Sequence, residues 1–156
     1  MKQNRRQCRE EALQMIYSLA FNPRPFDEAV KDSSIIRTDD SKFDEFTVDL
    51  VKKTVDASRE CDKLIETHSS NWSFERIALI DKLILRLALT EFLFFPDIPP
   101  KVTINEALEV AKKFSTTKSS IFVNGVLDSV LKELKDSSRI YKEGRGLQSE
   151  KTDTKS

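Results

Sequence analysis

The sequence predicts an all-α fold of two small helical bundles packed together, with about six to seven helices. Three observations carry that prediction. Glycine is scarce: of the three present, Gly144 and Gly146 lie near the C-terminus, so Gly125 stands alone in the body of the chain. β-Hairpins, phosphate loops and dinucleotide folds need glycine where φ is positive or the backbone approaches a ligand. Apolar residues recur at three- and four-residue spacing, the period of a half-buried helix. Prolines and capping residues punctuate the chain where those periods stop. The 156 residues, 38% hydrophobic and 33% charged, suit one soluble globular domain or two small ones sharing a core.

The elements follow in order. Cys8, Ala12, Met15, Ile16, Leu19 and Ala20 form one stripe, which predicts a helix from about Gln3 to Ala20. Asn22-Pro23-Arg24-Pro25 ends it, because proline cannot continue a helix. A short helix is expected near Phe26–Lys31, then a loop. Asp40-Ser41 is expected to begin the next helix, a long one or a broken pair through 43–67, stopped by Ser69-Ser70-Asn71. Trp72-Ser73 is expected to open the central helix, with Ser73 as N-cap and Trp72 stapled on Ile77. That helix is apolar almost all round up to Phe95, so it should be the buried axis. Asp97-Ile98-Pro99-Pro100 breaks it, and Thr103-Ile104-Asn105-Glu106 reads as a capping box for the next helix. Ser115 to Ser120 reads as a polar turn, and Val123 to Leu134 as a last amphipathic helix. The expected division is an N-terminal subdomain over 1–70, a C-terminal one over 71–136 and a polar, disordered tail over 137–156.

Zero net charge hides an asymmetry. Residues 1–26 carry five bases and two acids, whereas residues 27–66 carry seven bases and twelve acids. A basic N-terminus of that kind suits a polyanion. Arg5, Arg6 and Arg9 occupy adjacent parts of one helix surface, and guanidinium forks match phosphate oxygens. Tyr17 lies two turns beyond and offers a ring for a base. The competing reading is a solvated basic face paired with Glu10 and Glu11. No catalytic constellation is visible. His68 is the single histidine and reads as structural. Cys8 and Cys61 lack metal-ligand spacing and read as small core hydrophobes, consistent with a reducing cytoplasm. Neither a signal peptide nor a membrane span is expected. Gly125 falls mid-helix, where close helix–helix packing is the expected reason and approach of a ligand backbone the alternative.

Five blocks then resemble one family. Arg5 to Tyr17, Ile80 to Leu89, Asp97-Ile98-Pro99, Ile104 to Ala107 with Ala111 to Phe114, and Phe122-Val123-Asn124-Gly125-Val126-Leu127-Asp128 are similar, in order, to the bacterial transcription antitermination protein NusB family. The resemblance covers about residues 4–20 and 72–131. It implies no catalysis and no cofactor. It implies binding of boxA-type RNA in ribosomal RNA leaders together with NusE, a small-subunit ribosomal protein, so that RNA polymerase reads through terminators. The implied RNA contacts are Arg5, Arg6, Arg9, Tyr17, Lys118 and Phe122. The implied NusE contacts are Asp81 foremost, then Glu75 and Lys82, on an exposed side of the central helix. Gln7 and Cys8 interrupt the basic run that relatives often show, and Ser115 and Thr90 depart from the family pattern. Two other readings stay open: a helical protein–protein adaptor without an RNA role, and the N-terminal part of a ribosomal RNA cytosine methyltransferase. The sequence does not choose between monomer and homodimer.

Overall fold

The computed structural model describes residues 4–31, 43–69 and 73–147. Among these there are seven α-helices, two short 3-10 turns and no strand. The chain divides after Asp56 into two compact units.

The first unit holds α1 (Arg5–Phe21), α2 (Phe26–Lys31) and α3 (Glu45–Asp56). Asn4 caps α1, its side-chain oxygen accepting from Gln7 N at 2.8 Å, which satisfies one orphan donor of the first turn. The stripe buries Cys8, Ala12, Leu13, Met15 and Ile16, while Ala20 faces solvent. The proline-rich break ends α1 as expected, with Asn22 N donating to Ser18 O at 2.9 Å. The expected start of a helix at Asp40-Ser41 lies outside the described residues. The described helix begins at Glu45, and Asp44 caps it by accepting from Phe46 N at 2.9 Å. α3 packs on α1 through Leu50 and Val51, both fully buried.

The second unit holds α4 (Ser58–His68), α5 (Leu79–Phe94), α6 (Pro100–Phe114) and α7 (Thr117–Asp136). The long helix through 43–67 is thus a broken pair, interrupted at Ala57. α4 packs on α5 and α7, so the division falls at residue 56 and not at 70. α5 is the axis, contacted by α4, α6 and α7. It buries Leu83, Ile84, Leu85, Leu87, Leu89 and Phe92, each contributing about 1.5–3 kcal/mol by leaving water. Arg86 reaches Asp62 of α4 through a two-pronged ion pair at 2.7 and 2.8 Å.

Three expectations about helix ends fail here. Ser73 precedes a 3-10 turn, Phe74–Arg76, and its side chain caps nothing. Ile77 and Ala78 are extended, so α5 starts only at Leu79; the staple on Trp72 lies outside the described residues. Thr103 is not an N-cap either. Pro100 sits at the first helical position, where its fixed φ and missing N–H are favourable, so α6 starts a turn earlier. Thr103 is buried instead and donates to Glu91 Oε1 at 2.9 Å. The polar turn shrinks to Ser115 and Thr116, because Thr116 caps α7 by accepting from Ser119 N at 2.9 Å.

Two further corrections concern glycine and the tail. Gly125 is exposed, and a Cβ built there meets nothing within 4 Å, so helix packing does not explain it. Residues 137–147 of the expected tail pack on the second unit. Lys142 Nζ donates to Glu91 O at 3.0 Å and Phe95 O at 2.8 Å, carbonyls at the C-terminal end of α5. Glu143 N donates to Pro96 O at 3.0 Å. Gly146 is buried against Pro96 O so closely that no side chain fits. Residues 148–156 of the expected tail lie outside the described residues.

Candidate functional site

The first unit carries the arginines. α1 places Arg5, Arg6 and Arg9 on its first two turns, with Arg5 and Arg6 exposed. Arg9 is not: only 6% of it reaches solvent. Its guanidinium lies 5.5 Å from the Phe46 ring of α3, and that of Arg5 lies 4.5 Å from the same ring. Cation–π attraction of this kind orients a guanidinium without neutralising it. The face is therefore more than a solvated basic patch, because an aromatic ring packs against two of its guanidinium groups. Phe46 holds Arg5 and Arg9 together. Spacing alone predicted that these two arginines share a side of α1; nothing local pointed to an aromatic partner some forty residues away. Tyr17 is exposed and packs on Phe21, ring centroids 4.9 Å apart.

The second unit carries the remaining candidates. The start of α5 and the start of α7 enclose a cleft of about 270 Å³, lined by Arg76, Ile77, Ala78, Asp81, Thr116, Lys118, Ser119 and Phe122. Asp81 is 7% exposed, which corrects the expectation of an exposed site. Its Oδ2 accepts from Ser119 Oγ at 2.9 Å. Its Oδ1 is buried with no hydrogen-bond partner. A carboxylate oxygen in that state is costly unless a donor reaches it. Lys118 is exposed at the rim and Phe122 half-buried. The structure thus gathers Asp81, Lys118 and Phe122, which the sequence reading had assigned to separate roles. Glu75 is exposed in the 3-10 turn, and Lys82 Nζ sits 4.1 Å from the Phe74 ring centroid. Ser119 and Arg76 were missed; a serine in a polar turn carries no signal until its partner is known.

The other reactive side chains serve the fold. His68 joins α4 to α7, Nδ1 to Ser129 Oγ at 2.7 Å and Nε2 to Glu133 Oε2 at 3.1 Å. Ser129 sits mid-helix, where backbone N–H groups are committed to the helix. Burial pushes the Cys61 thiol up to about 11 and raises that of Cys8, which keeps both protonated. Among the described residues, no group of three or more His, Cys, Asp or Glu could hold a metal ion, and no helix is long and apolar enough to cross a membrane.

Comparison with known proteins gives these surfaces a context. The profile of the NusB family matches residues 6–132. The transcription antitermination protein NusB of Chloroherpeton thalassium is 41% identical over 147 residues, 92% of this chain and 69% of that protein. The protein of the same name from Salinibacter ruber is 39% identical over 147 residues, 92% of this chain and 91% of that protein. Among solved structures, T. maritima NusB superposes with a TM-score of 0.74 at 34% identity, covering 85% of this chain and 94% of that one. A crystal structure of antitermination factors NusB and NusE in complex with double-stranded RNA matches with a TM-score of 0.67 at 27% identity, covering 83% and 96%.

Proposed function

The chain belongs to the NusB family of transcription antitermination proteins, which are not enzymes, and on that premise we propose that it binds boxA-type RNA of ribosomal RNA leaders jointly with NusE and so lets RNA polymerase read through terminators. The observation that carries this reading is the arginine face of α1, ordered by Phe46. Arg5 and Arg6 supply salt-dependent affinity for phosphates, and Arg9 holds its neighbour's frame. Tyr17 and Phe122 supply stacking for unpaired bases, with Lys118 as a further phosphate contact. Asp81 is the partner contact. Its unpartnered Oδ1 takes a donor from NusE, with Glu75 and Lys82 beside it on the surface. A solved complex of NusB and NusE with double-stranded RNA among the structural neighbours supports joint engagement of RNA and NusE.

The test is fluorescence anisotropy of a boxA RNA and a scrambled control, with and without NusE, over a salt series. If three to five phosphates are neutralised, log K falls with log salt at a slope of about −2 to −3.5. Preference for boxA, strengthened by NusE, is the expected result. Equal, weak binding to both RNAs that NusE leaves unchanged would overturn it in favour of a protein adaptor.

A further inference from the structure

The last turn of α1 carries groups that the arginine face does not use. Tyr17 and Phe21 are four residues apart, so they share one side of the helix. Their rings meet at 4.9 Å with planes inclined by 53°. Both reach solvent, Tyr17 at 41% and Phe21 at 68% exposure. The two rings thus form an exposed aromatic pair on the helix surface. The chain reversal through Pro23 then brings Arg24 back to the same turn. Arg24 Nη1 donates to Asn22 O at 2.9 Å and Nη2 to Ser18 Oγ at 3.2 Å, so the guanidinium is held beside the residue that follows Tyr17. Its Nε is buried without a partner.

We propose that Phe21, Tyr17 and Arg24 form a nucleotide subsite, in which one unstacked base of single-stranded RNA lies on the Phe21 ring and its phosphate meets the Arg24 guanidinium. This rests on the reading that α1 binds RNA and extends it from the first turn of the helix to the last. Charge selects a nucleic acid over a protein as the occupant. Between Arg5 and Arg24 the chain carries four arginines against Glu10 and Glu11. The Tyr17 and Phe21 rings offer π-faces, and Arg24, held at Ser18 of the same turn, offers a phosphate fork. Arg24 also offsets the negative end of the α1 dipole, which would otherwise repel a phosphate here. Phe21 lies roughly 24 Å along the helix from Arg5, at 1.5 Å per residue, so only an RNA of several nucleotides reaches both ends.

The experiment compares wild type, Arg5→Ala, Phe21→Ala, Phe21→Trp and Arg24→Gln in binding a single-stranded RNA long enough to span α1, over a salt series. Circular dichroism and light scattering accompany each variant. Phe21→Ala is expected to weaken binding by about 5- to 150-fold with an unchanged salt slope. Phe21→Trp should restore affinity, and Arg24→Gln should flatten the slope by about 0.7. If Arg5→Ala weakens binding while Phe21→Ala and Arg24→Gln match wild type, the subsite is overturned and the RNA reading of α1 stands. If wild type shows no salt-dependent RNA binding, the reading of α1 falls and the subsite with it. If Phe21→Ala alters only the association state, the ring docks protein, and the subsite is overturned.

Discussion

Arg9 in the first unit and Asp81 in the second are both charged and both more than nine-tenths buried, yet their surroundings differ. Arg9 lies under a helix face with its guanidinium near Phe46 and its neighbour Arg5 near the same ring. Asp81 has one oxygen accepting from Ser119 and the other with no donor. Burying a charge costs several kcal/mol unless partners replace water. The arginine is provided for within its own unit, and its burial serves the exposed Arg5 and Arg6. The aspartate is incompletely provided for and keeps a cleft open beside it. The difference teaches that equal burial hides unequal surroundings: the Arg9 guanidinium lies near an aromatic ring, whereas Asp81 keeps one buried oxygen without a hydrogen-bond partner.

The harshest way to break that comparison is Asp81→Lys. A surface site would tolerate it, but a 7% exposed one forces an ammonium group into a cleft built for a carboxylate. The expected loss is about 3 kcal/mol in urea unfolding; a variant as stable as wild type would show that Asp81 does not need its cleft. Next is Arg9→Ala, expected to cost about 2–3 kcal/mol through lost packing and cation–π contact. The exposed Arg5→Ala should change stability by no more than about 0.5 kcal/mol while flattening the RNA salt slope by about 0.7. Equal stability losses for the two arginines would erase the distinction between frame and contact. Asp81→Asn sharpens the other side. It keeps the shape and the Ser119 contact but removes the charge, so stability should stay within about 1 kcal/mol while NusE affinity falls about tenfold or more in calorimetry.

A separate test concerns the C-terminal segment over Lys142 to Leu147. Burial pulls Lys142 down to about 8 from 10.5, against the opposing charges of Glu91 and Asp97. The released segment therefore binds more protons than the docked one between about pH 8 and 10.5, so docking strengthens as pH rises through that window and is weakest below it. The melting temperature of wild type relative to Lys142→Met should rise from pH 8 toward 10 and stay flat below 8. A difference independent of pH would mean that Lys142 titrates alike in both states.

Much of the fold was legible because it is written in local rules. A stripe at three- and four-residue spacing marks α1 and α7, an apolar run almost all round marks α5, and prolines mark where α1 and α5 stop. What failed was choice among competing local signals. Thr103 with Glu106 has the pattern of a capping box, but Pro100 offers an equally good start one turn earlier, and the carboxylate of Glu91 gives Thr103 a buried partner. Residues 137–156 read as a disordered tail because their composition is polar; Lys142 within them finds its acceptors at the end of α5, some fifty residues away.

The same division holds for the candidate surfaces. By itself the sequence determined the residue types, their spacing and so the face of α1 on which Arg5 and Arg9 lie, since helical geometry follows from neighbours a few residues apart. Only the tertiary structure decided which charges are exposed. Exposure depends on what packs from elsewhere in the chain: Phe46 beside Arg9, and Ser119 beside Asp81. Those distances along the chain are long, and no local rule constrains which side chain arrives.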